Sequence, residues 1–526
     1  RCEKHHCLAQ EKMELGWLLL GVVLIFSMAF FLFPRGSNHG GGLLPPGPTP
    51  LPFLGNLIWL TSMDDIYKLR AQGRLHERFG PLLTLRMGSR LEVTVSDSRV
   101  AHAALVGCGA AVADRPEYGI RNFAGLDAVT ITSSNYGPFW RLFRRNFAAE
   151  VAHPARLRLF APLRASVVAD LSDRLRRQQG TIKEAFRYAT FSLLTAMCFG
   201  EVLPEGSVRE IQDAVRDLSI FGMNKLDVFF ILPALTDLLF RGRRRTAEAM
   251  RGRLKGIYVP LIEARRRVRE KHISIHKVVK ETTTTLPHSY LDTLLDARLD
   301  FDGGRALSEA EIIGLCSELL IQGTDTTVTA LEWIMAELVK NQSVQERLYE
   351  EINIARGHKR GGGGQLDEED LQKMPYLRAV VLEGLRRHPP GQQLVPHAAA
   401  EDVQLGGYLI PKGTTMNFRV RDMGMDEKTW ERPTEFVPER FLEGGEGEGM
   451  DITGTREIRM MPFGAGRRIC PGIGVAMLHM EYIVANLVHT FQWKPAEGDE
   501  VDVLAEMSEF TVIMKKTLRA RLLPRP

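Results

Sequence analysis

Apolar and polar positions alternate through LLTLRMGSRLEVTVSD, residues 82–97, and predict a β-hairpin turning at Gly88-Ser89. From about Val100 onwards the spacing is helical. The clearest helix opens at Leu307-Ser308-Glu309-Ala310-Glu311, where Ser308 and Glu311 form a capping box. It is expected to run to about Lys340 and stop near Asn341, long enough to cross a whole domain. A second helix, from about Pro375 to Arg387, is stopped by Pro389-Pro390. Short strands are expected within VQLGGYLIPKG (403–413) and SEFTVIMKK (508–516), and surface loops in KETTTTLPHS (280–289) and GHKRGGGGQLDEED (357–370). No βαβ alternation and no repeat is visible. The sum is mainly α with small β-sheets.

Near the N-terminus the pattern changes. Residues 15–33, LGWLLLGVVLIFSMAFFLF, carry no charge. About 20 helical residues span the ~30 Å hydrocarbon core of a bilayer, so residues 13–34 read as a membrane anchor. No small-residue cleavage site precedes Pro34, which argues against a signal peptide. Arg35 favours a cytosolic body. Residues 1–12 precede the natural start at Met13 and read as a non-native or disordered leader. After the anchor, residues 35–56 are rich in glycine and then proline, a hinge that stiffens as it approaches the body. Residues 57–526 are the expected catalytic domain.

Composition narrows the class. The 526 residues are 44% hydrophobic and 25% charged, as in a globular protein able to enclose a cofactor. The net charge of +4 does not suggest nucleic acid, and no motif for it is present. Cys2, Cys7, Cys108, Cys198, Cys316 and Cys470 are scattered and form no C-x-x-C pair. A disulfide framework and a structural zinc site are both disfavoured.

The stretch MPFGAGRRICPGIG, residues 461–474, admits two readings. As a dinucleotide loop it should follow a strand near the start of a βαβ unit. It lies instead near the C-terminus, with Ile469 where the third glycine should fall. As a loop presenting Cys470 it explains more. Glycines at 464, 466 and 472 let the backbone curl around a sulfur, and a following helix would bring its positive dipole end near a thiolate.

Phe463, Gly466, Arg468, Cys470 and Gly472 resemble the haem-binding loop of the cytochromes P-450. Further motifs follow in that family's order. Trp140 and Arg144 resemble its W-x-x-x-R helix. Gln322-Gly323-Thr324-Asp325-Thr326-Thr327 resembles the oxygen-site segment of its long helix, and a glycine–threonine–aspartate run is a poor helix interior otherwise. Glu383 and Arg386 resemble E-x-x-R, which Arg440 of Pro438-Glu439-Arg440-Phe441 would complete. His397 falls where another propionate partner is usual. The endings of the chain are most similar to plant microsomal A-type members, families eighty-nine and seventy-seven above all.

The resemblance implies the P-450 fold, with haem b (iron protoporphyrin IX) between the oxygen-site helix and the cysteine-loop helix. Cys470 would be the axial iron ligand, since a thiolate favours O–O cleavage. Trp140, Arg144, His397 and Arg468 would meet the haem propionates, arginine suiting a carboxylate through its planar fork. Gly323 would open room beside the haem. Asp325 and Thr326 would form the acid–alcohol pair that delivers protons. Glu383, Arg386 and Arg440 would hold the pocket together. Gln322 departs from the pattern, where alanine or glycine is usual.

The implied activity is that of a membrane-anchored monooxygenase. It would insert one atom of O2 into an apolar small molecule, with electrons from NADPH–cytochrome P-450 reductase, at the endoplasmic reticulum membrane and in contact with its lipid. An O2-independent isomerase or dehydratase is the rival within the fold, though such members usually lack the acid–alcohol pair. A haem sensor or carrier is the rival outside catalysis. Arg141 and Arg145 could offer a positive face to an acidic reductase. Pocket walls are expected from residues 114–136, 220–240, 392–395 and 509–512, with Phe229, Phe230, Ile231 and Leu232 suggesting an apolar channel.

Overall fold

The structure is a computed structural model and describes residues 43–51, 55–56, 65–88, 90–116, 129–178, 180–225, 240–275, 288–357, 366–498 and 500–525. The expected anchor, most of both expected polar loops, and Phe229 to Leu232 lie outside these residues. Among the described residues no helix is long and apolar enough to cross a membrane.

Helices dominate. In chain order the longer ones are α1 (Asp65–Phe79), α2 (Pro138–Glu150), α3 (Ala161–Arg176), α4 (Ile182–Phe199), α5 (Glu205–Lys225), α6 (Arg241–Ile275), α7 (Tyr290–Asp296), α8 (Glu309–Lys340), α9 (Gln342–Arg356), α10 (Pro375–Arg387) and α11 (Ile473–Thr490). The strands are few. β1 (Leu82–Met87) and β2 (Arg90–Val95) form the expected hairpin, with Met87 opposite Arg90 and Gly88 at φ 62°. β3 (His397–Ala398) and β4 (Thr415–Phe418) complete a four-stranded sheet in the order β1-β2-β4-β3, β2 and β4 being parallel. β5 (Phe491–Pro495) pairs with β8 (Ala520–Pro524), and β6 (Glu506–Ser508) pairs with β7 (Val512–Met514). Val403–Leu405 pairs with Tyr408–Ile410.

Helix α8 organises the molecule. Ser308 Oγ accepts from the Glu311 N–H at 3.3 Å and a Glu311 carboxylate oxygen accepts from the Ser308 N–H at 2.8 Å, so the expected capping box is formed. Its 32 residues extend roughly 48 Å. Two hydrophobic cores meet along it. Ile312 to Ile321 belong to a core shared with α2, α4, α5 and α7. Val328 to Val339 belong to a second core with α3, α10, α11 and β5. The polar stretch 322–327 lies between the two, because it has too little apolar surface to join either. That gap is where the cavity opens.

Residues 43–51 run along β1. The Thr84 N–H donates to Pro46 O at 2.9 Å, and a Cβ on Gly47 would lie 2.0 Å from Thr84 O. Asn56 extends the contact, accepting from the Arg86 N–H at 2.8 Å. This part of the expected hinge is therefore docked on the sheet. In the second polar tract, Glu368–Lys373 coils into a 3-10 turn.

Candidate active site

A cavity of about 310 Å³ lies between α8, the Cys470 loop, α2 and the loop before β3. Cys470 reaches it from a turn held by its own N–H, which donates to Phe463 O at 2.8 Å. The Gly472 N–H points at Cys470 Sγ at 3.3 Å. Burial pushes the thiol pKa up, while the Gly472 N–H and the nearby Arg144 guanidinium pull it down. Helix α11 begins at Ile473, so its N-terminal dipole also faces the sulfur.

Trp140 and Arg144, one turn apart on α2, both line the cavity. Among the described residues Arg144 has no hydrogen-bonding or ion-pair partner, and burial lowers its pKa. Arg468 also lines the cavity, but it is engaged elsewhere. Its Nε donates to Ala113 O at 2.7 Å and its Nη atoms donate to the carbonyls of Ile131 and Ser134. Arg115, within the expected pocket wall 114–136, donates to the carbonyls of Thr132, Val395 and Pro396. Burial depresses both arginines, with repulsion from Arg468 added at Arg115 and repulsion from Arg144 added at Arg468, so that Arg115 falls to about 9 and Arg468 to about 10. His397 is buried, and its Nδ1 lies 2.8 Å from Val112 O. Nδ1 is therefore protonated and donates, leaving Nε2 as an acceptor. Burial, then Arg115, lowers the His397 pKa to about 3. A carboxylate arriving at Nε2 would oppose that shift, because an opposite charge favours the protonated, donating ring.

Placement refines the roles of Gly466, Gly323, Asp325 and Thr326. Gly466 does not line the cavity. At φ 68° its absent Cβ would sit 1.9 Å from Leu105 O, so it lets the cysteine loop lie against that backbone. Gly323 does line the cavity, yet its missing Cβ also admits Leu194 Cδ1, which would be 2.8 Å away. Asp325 and Thr326 are not brought together. Consecutive helical side chains diverge by about 100°, so Thr326 faces the cavity while Asp325 pairs with Arg187 Nε at 3.3 Å on another side of α8. Thr326 Oγ1 donates to Gln322 O at 2.5 Å.

Glu318 was missed. It lines the cavity one turn before Gln322, and its carboxylate accepts the N–H groups of Ile131 at 2.9 Å and Thr132 at 2.6 Å. Burial pushes its pKa up. Its spacing of four from Gln322 and eight from Thr326 was the available signal. His479 of α11 was missed too. Its Nε2 faces the fully buried Arg164 at 3.4 Å. Of the expected pocket segments, Arg115, Ile131 and Thr132 from the first and Gln393, Leu394 and Val395 from the third line the cavity, and residues 509–512 do not.

Glu383 and Arg386 are wholly buried and joined by two hydrogen bonds, at 2.6 and 2.8 Å. Arg440 Nε reaches Glu383 at 3.3 Å, and Arg440 also pairs with Glu446. The remaining Arg386 donors go to the carbonyls of Gly424, Pro433 and Glu435. This knot ties α10 to the 424–446 segment behind the cysteine loop.

The donor set identifies the kind of group the cavity fits. A bare metal ion wants three or four protein ligands, whereas among the described residues no three histidine, cysteine or acidic side chains come together, and Cys470 is the one cysteine lining the cavity. A single sulfur facing a broad apolar chamber fits a metal that brings its own macrocycle. The unpartnered Arg144 guanidinium fits acidic substituents on that macrocycle.

The family model described as Cytochrome P450 matches residues 45–522. The chain belongs to the cytochrome P450 family. It is 41% identical over 519 residues to Cytochrome P450 89A9 of Arabidopsis thaliana, covering 96% of this chain and 98% of that protein. It is 33% identical to Oryzalexin D synthase of Oryza sativa subsp. japonica over 94% of this chain and 96% of that one. Flavonoid 3'-monooxygenase of Arabidopsis thaliana is 28% identical over 97% of this chain and 96% of its own length. A zebrafish cytochrome P450 structure with progesterone superposes with a TM-score of 0.68 at 20% identity, over 87% of this chain and 99% of that one. The mainly helical P450 fold expected from the sequence, and the likeness to plant family eighty-nine, are thereby established. So is the class of activity: this P450 is an oxygen-incorporating oxidoreductase using haem.

Proposed function

We propose that this P450 is a membrane-anchored monooxygenase acting on an apolar small molecule, with haem b held by Cys470. The observation that carries the reading is the cavity itself: one thiol under a helix N-terminus, facing α8 at the break between two cores. The haem, when bound, activates O2 so that one oxygen atom enters the substrate and the other leaves as water. Cys470 supplies the iron ligand. Arg144 binds a propionate, and Trp140 packs beside it. Arg468 and Arg115 act mainly by fixing the 131–134 and 395–396 backbone that walls the site. Thr326 holds a hydroxyl at the cavity, and Asp325 reaches the same chemistry only by leaving Arg187.

Electrons come from NADPH–cytochrome P-450 reductase. Arg141, Arg145 and Arg467 are exposed on the cysteine-loop side, with Arg141 and Arg467 each 5.0 Å from the Tyr136 ring centroid. Such a face suits an acidic partner. Residues 13–34 anchor the protein in the endoplasmic reticulum membrane, with the folded body in the cytosol.

One experiment tests the reading. Purified full-length protein should sediment with membranes, bind haem, and give the carbon monoxide difference band of a thiolate-ligated iron. With reductase and NADPH it should consume O2 in a substrate-dependent way. Cys470→Ser should abolish that band and the turnover. A band retained in the variant rejects Cys470 as the iron ligand; turnover without reductase rejects the monooxygenase reading in favour of an isomerase, and absence of substrate-dependent O2 consumption rejects it in favour of a sensor.

A further inference from the structure

The wall that α8 presents to the cavity is unusual in what remains free on it. Glu318, Gln322, Thr326 and Ala330 follow at four-residue spacing and therefore form one stripe. Glu318 spends both carboxylate oxygens on the N–H groups of Ile131 and Thr132. Thr326 donates to Gln322 O, and Thr327 donates to Gly323 O at 2.8 Å. Gln393, the other amide on the cavity wall, donates from Nε2 to Gln72 Oε1 at 2.7 Å. The side-chain amide of Gln322 makes no hydrogen bond among the described residues, and it opens on the cavity.

An amide left without partners in an enclosed space is unfavourable unless a ligand or water meets it. Its oxygen accepts and its NH2 donates, so both needs are met at once by a group that carries a donor beside an acceptor. The group should also be neutral, because an uncharged amide cannot offset the cost of burying a charge beside it. We propose that Gln322 is a specificity-determining residue that binds a carboxamide-type group on an otherwise apolar substrate. This rests on the reading of the cavity as a haem and substrate chamber, and it names the substrate class for that site.

The test uses full-length, haem-loaded protein and three probes of similar length: decanamide, methyl decanoate and undecane. Dissociation constants are read from the ligand-induced change in haem absorption, and shifts in melting temperature give a second readout. The wild type should bind decanamide more tightly than either other probe. Gln322→Leu should weaken decanamide about ten-fold, the range of one or two net hydrogen bonds, and leave undecane within about two-fold. Gln322→Met replaces it if the leucine variant fails to take up haem. Absence of decanamide binding to the wild type, an unchanged decanamide constant in the variant, or equal weakening of all three probes overturns the assignment. Failure of the wild type to show a thiolate carbon monoxide band would instead reject the haem reading.

Discussion

At the residue scale, energy is concentrated where charge is buried. Arg386 illustrates the logic. Its side chain is fully buried, and its donors are divided between Glu383 and three carbonyls. Removing it leaves the Glu383 carboxylate in a dry site with only the Val437 N–H and Arg440 as compensation. Breaking a buried pair by deleting one partner costs about 3–5 kcal/mol. Arg386→Leu should therefore lose that much stability in denaturant titration of the haem-loaded protein, or fail to accumulate. Arg386→Lys keeps the charge but not the fork, and should recover only part of the loss. A variant as stable as the wild type would show that the knot contributes nothing net. Arg144 is the opposite case: with no described partner in this fold, its role must come from something that enters the cavity.

At the element scale, close backbone approach decides what each loop can hold. The cysteine loop passes Leu105 through Gly466, where a Cβ would meet a carbonyl oxygen at 1.9 Å and φ is 68°. Gly466→Ala must push the loop away from that backbone, moving Cys470. It should lower haem retention, seen as absorbance lost on gel filtration. Gly444→Ala is the control, with φ 81° but nothing within 4 Å of the added Cβ. It should cost only about 1–2 kcal/mol of left-handed strain and keep its haem. Equal haem loss in both would show that conformation alone, not approach, matters. The same contrast explains what could be read from the sequence. The ends of α8 and α10 were legible because a capping box and prolines are local signals, and the β1–β2 hairpin because its alternation is local. The motif residues Trp140, Arg144, Thr326 and Cys470 could be placed for a similar reason, since each motif carries its own spacing. The clamp on residues 131–132 could not be read, because Glu318 joins them across 186 or more positions. Nor could the docking of Pro46 and Gly47 on β1, since proline and glycine composition describes a free chain and a packed one equally well.

At the scale of the whole molecule, burial of imidazoles links stability to pH. His479 lies between the cavity and the buried Arg164, and burial followed by that guanidinium lowers its pKa to about 3. His397 is lowered to about 3 by burial and then by Arg115. In the unfolded chain both return to about 6.5. Between those values the unfolded state binds protons that the folded state refuses, so stability falls as pH falls below about 6.5 and is level above it. Buried carboxyls oppose this. Glu318 and Glu92 are raised by burial, so each takes up its proton in the folded state first and adds stability as pH falls. The surface carboxylates Glu205 and Glu311, lowered to about 2, lose their contribution as pH falls from about 5 towards 2. A comparison of wild type with His479→Gln at pH 7.5 and 5.5 isolates one imidazole from these terms. Glutamine keeps an acceptor for Arg164 but does not titrate. At pH 5.5, one unit below the unfolded value, the wild type should have lost about 1.4 kcal/mol more than the variant. Urea titrations of the haem-loaded proteins measure it, and parallel losses would mean that His479 is charged in the folded state.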